Sequence, residues 1–172
     1  MDTLNIGGLV AYQARYRPQA RALCFAGQWY NWQQVNERSN RLAQALRAAG
    51  VGHGARVVTV LSNCLEMIDI YWACARMGAV AVPLSPLLMA SGLRTLLGDA
   101  QPAALFYSDT TAAATLPASD GLACMRIRTG AEYEAFAATG SSEPLNASIA
   151  PDDLYNIMYT SGTTGLPKGI AL

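Results

Sequence analysis

Blocks of apolar residues alternate along the chain with blocks of mixed polarity, and their spacing predicts strands and helices in turn. Residues 56–61 are apolar with little polar alternation, which is typical of a strand buried on both faces of a parallel sheet. Shorter apolar runs at 80–82, 103–107 and 122–127 predict three further strands, the first of them stopped by Pro83.

The segments between these runs carry apolar residues at the three- and four-residue spacing of a helix face. Asn31 and Gln34 have the spacing of a capping box, and Asn63 and Glu66 are expected to cap the next helix. Gly78 is expected to end that helix. The predicted helices cover residues 4–17, 32–49, 64–77, 90–98, 110–116 and 131–138.

Strands and helices that alternate at short spacing indicate βαβ units. The sequence therefore predicts an α/β fold with an open, mostly parallel sheet flanked by helices and right-handed crossovers. A short β-hairpin is expected over residues 23–30, a surface connection over 140–151, and a strand over 155–159.

Composition narrows the function classes. Apolar residues make up 52% of the chain and charged residues 14%, against roughly 25% charged in an average protein. A buried sheet, or a surface meant to be covered by other protein, would explain this excess. The net charge is zero and no basic run occurs, so the electrostatic footprint of a nucleic-acid-binding protein is lacking.

Targeting and metal-binding signals are weak. The chain has four scattered cysteines without Cys-x-x-Cys spacing and a single histidine, so the thiols are interpreted as reduced core residues of a cytosolic protein rather than zinc ligands. No secretory signal or run of 18 apolar residues is present. We therefore expect a cytoplasmic protein without a transmembrane segment.

The last fourteen residues, YTSGTTGLPKGIAL, contain the candidate chemistry. Glycines leave no Cβ in the way, so successive N–H groups can point at one phosphate. Hydroxyls add adjustable donors, and Lys168 adds positive charge. The stretch predicts a loop for a di- or triphosphate. Its candidate ligand-binding residues are Thr160, Ser161, Gly162, Thr163, Thr164, Gly165 and Lys168.

Two families of phosphate loop can be told apart by spacing. A Walker A loop requires Gly-Lys followed by Ser or Thr, but Lys168 follows Pro167 and precedes Gly169. The order TSGTTG, one free residue and PKG instead resembles the phosphate loop of the adenylate-forming enzymes. An ordinary surface loop rich in Ser, Thr and Gly lacks this fixed ending.

The resemblance extends over residues 5–172. The stretches at 31–35, 40–43 and 73–84 look familiar from the same superfamily, although Asn31 replaces its usual Thr and Gln34 its usual Glu. Residues 71–74 and 85–88 look more like acyl- or aryl-CoA ligases, most like a long-chain fatty-acid–CoA ligase, than like peptide-synthetase domains. Both stretches are interpreted as packing residues.

The resemblance implies an activity for the parent enzyme. It would activate a carboxylic acid with ATP and Mg²⁺ to an acyl-adenylate and pyrophosphate, then transfer the acyl group to coenzyme A. The family's catalytic lysine and other downstream motifs do not occur in the chain. Residues 1–172 are therefore expected to be the N-terminal part of the large AMP-binding domain, truncated just after the phosphate loop.

Three alternatives remain open. The parent could be a peptide-synthetase adenylation domain that uses a carrier-protein thiol, or a P-loop NTPase, which the spacing disfavours. The chain alone could also be a non-catalytic scaffold, and we expect it to be inactive. It could self-associate through surface that the missing part would cover. Asp152 and Asp153 precede the loop strand, where a solvated strand entry or a cap is favoured over metal binding. His53 lies in a turn and is not expected to be catalytic.

Overall fold

A computed structural model describes residues 5–160 and 167–172, and these residues form six helices and eight strands. The helices are α1 (Ile6–Tyr16), α2 (Trp32–Ala48), α3 (Leu65–Met77), α4 (Ala90–Ala100), α5 (Asp109–Ala118) and α6 (Ala131–Ala137). The strands are β1 (Arg21–Phe25), β2 (Gln28–Asn31), β3 (Arg56–Val60), β4 (Val80–Leu84), β5 (Ala104–Tyr107), β6 (Met125–Arg128), β7 (Ile157–Thr160) and β8 (Lys168–Ala171).

The central sheet has four parallel strands in the order β4-β3-β5-β6. Val58 of β3 lies opposite Val82 of β4 on one side and Leu105 of β5 on the other. The other four strands form two antiparallel hairpins, β1–β2 and β7–β8. The predicted α/β class with an open parallel sheet is confirmed.

The sheet is covered on both faces because successive strand residues point to opposite sides. Val57 and Phe106 lie in one core, which is built with α2, α3 and α6. Their neighbours Val58 and Leu105 lie in a second core with α4 and α5. All four side chains are fully buried, which explains why these strands appear as continuous apolar runs in the sequence.

The helix ends agree with the sequence at α2 but differ at α3. Asn31 and Gln34 form the reciprocal capping box of α2, and Gly78 ends α3 with a φ of 69°. The predicted Asn63 cap is wrong, because the residue that precedes the helix is Cys64 and no side chain caps it. Glu66 instead accepts a hydrogen bond from the amide of Gly130 at 3.3 Å.

Pro83 lies inside β4 and does not end it, contrary to the prediction. Strand β4 is at the edge of the central sheet. The amide of Ala81 points away from β3 and donates to Tyr155 at 2.9 Å. Two residues further on, the missing N–H of Pro83 would point the same way, so no bond to β3 is lost.

Other boundaries shift modestly. Helix α5 extends beyond the predicted 110–116 at both ends. At its start the amide of Ser108 donates to the hydroxyl of Thr111 at 2.9 Å. Strand β6 begins three residues later than expected, at Met125.

All four cysteines are free, but Cys24 is exposed on the β1–β2 hairpin and is not a core residue. Within the described ranges, no helix combines the length and hydropathy needed to cross a membrane.

Candidate functional site

The predicted phosphate loop connects the two strands of the β7–β8 hairpin. The hairpin starts beside the edge strand β4, where Tyr155 accepts the bond from Ala81. At the open end of the hairpin, Asn156 and Leu172 exchange two backbone hydrogen bonds of 2.9 and 3.1 Å. The strand expected at 155–159 is therefore present over Ile157–Thr160, and the second strand, β8, was not predicted.

The two faces of this hairpin differ in burial; residues paired across an antiparallel ladder point to the same side. Ile157 and Tyr159 pack against the core formed with α4 and α5. The opposite face carries Met158 and Ile170, which are 45% and 47% exposed. The hairpin therefore packs on the domain through one face, and its other face is exposed to solvent.

Thr160 lies directly opposite Lys168 at the end of the hairpin. The seven residues between them, 161–167, form the connection, so its two ends are held across one strand pair, with Cβ atoms about 5 Å apart. Both residues are exposed. The structure thus brings together two of the predicted site residues. The other five, Ser161, Gly162, Thr163, Thr164 and Gly165, lie outside the described residues.

Gly169 allows a close contact across the hairpin. A Cβ built on Gly169 would lie 3.1 Å from Cγ2 of Ile157 and 3.3 Å from Cε1 of Tyr159. The ring of Tyr159 therefore covers the glycine. This contact gives a physical reason for a glycine at position 169.

Sequence reasoning missed a contact at Tyr159. Its hydroxyl donates a hydrogen bond to the carboxylate of Asp99, in the last turn of α4. Burial raises the pKa of Tyr159 to about 12, and the bond to Asp99 acts in the same direction, so the hydroxyl stays protonated at neutral pH. A tyrosine in a strand next to a phosphate loop was the available signal, but nothing in the sequence pointed to Asp99.

A polar cavity of about 460 Å³ lies beneath the hairpin. Its lining includes the two basic residues Arg56 and Lys168 together with Asp99 and Tyr159. Arg56 is the first residue of β3, so the cavity is at the amino end of the parallel strands.

Open parallel sheets often bind ligands at the carboxyl ends of their strands, where the strand order reverses. In this sheet that position lies between β3 and β5. It is filled by the first turn of α5, where the buried hydroxyl of Thr111 donates to the carbonyl of Val60 at 2.8 Å. The hairpin is therefore the better candidate site.

Of the two acidic residues before β7, Asp153 has structural partners. Asp153 lies 2.7 Å from His53 and accepts the amide of Ala150 at 2.6 Å. Both bonds lower the pKa of Asp153, and the bond with His53 has the larger effect. Asp152 is exposed. Over residues 5–160 and 167–172, no group of three or more acidic, cysteine or histidine side chains could hold a metal ion.

The parallel α/β sheet and the hairpin with its TSGTTG and PKG sequence define the class of adenylate-forming proteins. The chain belongs to the AMP-binding enzyme family, whose model matches residues 10–172.

Curated relatives come from several branches of this family. The fatty acid–[acyl-carrier-protein] ligase ScoC of Streptomyces coeruleorubidus is 31% identical, over 94% of this chain and 31% of its own length. The long-chain-fatty-acid–CoA ligase FadD13 of Mycobacterium tuberculosis is 30% identical, over 96% of this chain and 34% of its own. The dimodular nonribosomal peptide synthase of Bacillus subtilis is 32% identical, over 93% of this chain and 7% of its own.

Solved structures agree with the family assignment. A fatty acyl CoA synthetase of Mycobacterium tuberculosis superposes with a TM-score of 0.89 at 26% identity, over 98% of this chain and 34% of that chain. The chain thus spans about a third of the length of ScoC, of FadD13 and of this structure.

Proposed function

We propose that the complete polypeptide carrying this chain activates a carboxylic acid with ATP, forms an acyl-adenylate and pyrophosphate, and transfers the acyl group to coenzyme A. The observation that supports this most directly is the pairing of Thr160 with Lys168, which closes the base of the TSGTTG–PKG connection. Under this proposal residues 1–172 are the N-terminal part of a larger AMP-binding domain.

The residues of the connection would bind the β- and γ-phosphates of ATP. Lys168 supplies the positive charge, and the glycines let backbone N–H groups approach the phosphate oxygens. The hydroxyl groups supply further donors. The proposed binding set is Thr160, Ser161, Gly162, Thr163, Thr164, Gly165 and Lys168.

The proposed chemistry needs no general base from this chain, because a carboxylic acid is already ionised at neutral pH. An oxygen of the carboxylate attacks the α-phosphorus of ATP. The bond between this phosphorus and the oxygen bridging to the β-phosphate breaks, and its electron pair leaves with pyrophosphate. The loop would orient the α-phosphate and stabilise the charge that develops on the leaving pyrophosphate.

Mg²⁺ would accompany the triphosphate in this reaction. Among the described residues, no group of three or more acidic, cysteine or histidine side chains could hold the ion.

Coenzyme A is proposed as acceptor on the resemblance of residues 71–74 and 85–88 to acyl-CoA ligases. In the structure, Tyr71 and Trp72 are half-buried, but Leu87 is 89% exposed and Met89 77% exposed. The interpretation of Leu87 as a packing residue is therefore wrong for this chain.

The second candidate acceptor is a carrier-protein thiol, because ScoC, a fatty acid–[acyl-carrier-protein] ligase, matches at 31% identity.

The test is ATP–pyrophosphate exchange by the complete polypeptide with a panel of aliphatic, aromatic and amino acids. Exchange that depends on the added acid supports adenylation, whereas phosphate release without an acid would support an ATPase. Supplying coenzyme A or a phosphopantetheinylated carrier protein to the preformed acyl-adenylate then distinguishes the two acceptors.

The 172-residue chain by itself is proposed to be inactive and to bind ATP weakly. A charge-assisted hydrogen bond contributes about 1.5–3 kcal/mol, while millimolar affinity already requires about 4 kcal/mol net of the entropic cost of binding. Without contacts to the purine and ribose, we expect a dissociation constant weaker than about 1 mM. A micromolar constant from isothermal titration would contradict this.

A further inference from the structure

Besides the packing of Ile157 and Tyr159 on the second core, a backbone and a side-chain hydrogen bond attach the phosphate-loop hairpin to the domain. Near its open end, Tyr155 accepts the 2.9 Å hydrogen bond from Ala81 of β4. Near the loop, Tyr159 reaches Asp99 of α4. Tyr159 directly precedes Thr160, so this second attachment lies beside the base of the loop.

The distance between the two attachments makes the second one important. From Tyr155 to Thr160 a strand rises about 17 Å at 3.3 Å per residue. If the hairpin were held only at its open end, a tilt of about 3° would move the loop by about 1 Å. A misplacement of this size can cost a reaction on the order of a hundredfold in rate.

The structural partner of Tyr159 is well fixed. Helix α4 is anchored in the second core by Leu93 and Leu97, which are fully buried. The ring of Tyr159 is itself held against Gly169, where a Cβ would come within 3.3 Å of it. The contact therefore joins a rigid helix to the strand pair that carries the loop.

The position of Asp99 argues for a role beyond helix stability. It lies in the last turn of α4, which carries no basic residue. The negative end of the helix dipole disfavours a carboxylate there. A residue that breaks a local rule in this way is expected at functional positions.

We propose that Tyr159 and Asp99 are positioning residues for the phosphate loop, and that their hydrogen bond sets where Thr160 and Lys168 stand relative to the phosphates of ATP. This inference rests on the proposed adenylation activity.

Kinetics of the complete polypeptide test this inference. Tyr159→Phe and Asp99→Ala each remove the hydrogen bond, and we expect both to lower kcat/KM for ATP about tenfold while the KM for the carboxylic acid stays unchanged. Asp99→Asn keeps an oxygen that can accept the bond, so it should retain most of the activity.

Tyr155→Phe is the matched control for Tyr159→Phe. Tyr155 is half-buried in the same segment, and its hydroxyl has no hydrogen-bond partner among the residues that the structure describes. Its removal should leave kcat/KM for ATP at the wild-type value.

Thermal stability separates positioning from simple structural support. Asp99→Ala loses the hydrogen bond from Tyr159, but it also removes a negative charge that disfavours the end of the helix. Because these two effects on stability oppose each other, Tm should change little while kcat/KM for ATP falls. A purely structural contact would lower Tm and leave the ATP kinetics of the folded enzyme unchanged, and this result would overturn the proposal.

Hydrogen–deuterium exchange on the 172-residue chain gives an independent readout. In Tyr159→Phe, amides of 157–160 and 168–171 should exchange faster, while those of β3 and β5 keep their wild-type rates. Wild-type rates of amide exchange in the hairpin of Tyr159→Phe would overturn this inference, whatever the activity of the complete polypeptide. The proposed function fails separately, if the complete polypeptide shows no carboxylate-dependent ATP–pyrophosphate exchange.

Discussion

The guanidinium of Arg38 in α2 lies 2.7 Å from the carboxylate of Asp69 in α3. The same carboxylate oxygen accepts a 2.9 Å hydrogen bond from the hydroxyl of Tyr133 in α6. Asp69 is 1% exposed. Burial raises its pKa to about 6, although the bonds from Arg38 and Tyr133 act in the opposite direction. Three helices on one face of the sheet thus meet at a titratable group.

This raised pKa predicts a pH dependence of folding. The folded protein keeps the proton of Asp69 up to about pH 6, whereas the unfolded chain releases it near pH 3.8. The stabilising contribution is therefore complete below pH 3.8 and is lost as the pH rises through 6. Between pH 4 and 7 the loss should be about 2 kcal/mol.

Comparison with Asp69→Asn isolates this effect. We expect the difference in unfolding free energy between the wild type and this variant to fall by about 2 kcal/mol from pH 4 to 7, measured by urea unfolding at each pH. Glu134→Gln removes the exposed partner of the same Arg38. Its charge is the smallest of the named causes that raise the pKa of Asp69, so this variant should weaken the pH dependence only slightly. A constant difference between wild type and Asp69→Asn would contradict the assignment.

Two helical glycines should respond oppositely to alanine. A Cβ on Gly7 of α1 would lie 2.3 Å from the carbonyl oxygen of Ala75 in α3, whereas a Cβ on Gly98 of α4 would meet nothing within 4 Å. We expect Gly7→Ala to lower the unfolding free energy by about 1–3 kcal/mol through overpacking. Gly98→Ala should raise it by up to about 1 kcal/mol through helix propensity. Equal effects of the same sign in denaturant titrations would refute this.

The connection after α6 is attached along α2. Buried Asn40 donates to the carbonyl of Ser142 at 2.7 Å, and half-buried Gln44 donates to the carbonyl of Glu143 at 3.2 Å through a solvent-exposed bond. We expect Asn40→Ala to cost about 1–2 kcal/mol and to speed proteolytic cleavage within 141–151. Gln44→Ala removes a solvent-exposed bond and should change neither quantity appreciably. Cleavage at the wild-type rate in Asn40→Ala would show that the connection is held elsewhere.

Much of the fold could be predicted because the sequence states it locally. The continuous apolar run at 56–61 gave a buried parallel strand, and Asn31 with Gln34 gave a helix start. The predictions that were wrong concern residues whose role depends on tertiary structure. Pro83 is tolerated because β4 is at an edge, and Asn63 caps nothing because α3 begins too late. Neither fact is encoded within a few residues of the position concerned.

The candidate site, too, could be predicted from the sequence only in part. The loop sequence itself pointed to phosphate chemistry, and the pairing of Thr160 with Lys168 supports that prediction without testing it. The contact between Tyr159 and Asp99 spans 60 residues, so no local spacing could reveal it. The residues in the middle of the loop lie outside the described part of the chain, and their role stays a prediction.

The outer face of the hairpin is expected to drive self-association of the 172-residue chain. Met158 and Ile170 lie opposite each other on it and are about half exposed. Burying such side chains between two copies would be favourable. We expect sedimentation velocity to show concentration-dependent association, which the double variant Met158→Ser/Ile170→Ser weakens. A monomer at all concentrations would contradict this, and Leu87→Ser, on the separate exposed segment after β4, tests which surface is responsible.

Lys168 is the only lysine in the sequence, and the proposed function gives its charge a specific task. If its ammonium group binds the β- and γ-phosphates, Lys168→Ala in the complete polypeptide should lower kcat/KM for ATP by about 10- to 100-fold. It should also weaken product inhibition by pyrophosphate to a similar degree. Because the side chain is exposed, Tm should not change.

Arg128→Ala is the matched control for Lys168→Ala, since it removes one exposed positive charge from β6, at the opposite edge of the sheet. It should leave the kinetics for ATP and the inhibition by pyrophosphate unchanged. Lys168→Arg keeps the charge but changes its shape and reach, so we expect partial activity. If Lys168→Ala formed acyl-adenylate with wild-type kcat/KM, the loop could not be the group that holds the departing pyrophosphate, and the proposed role of the hairpin would be wrong.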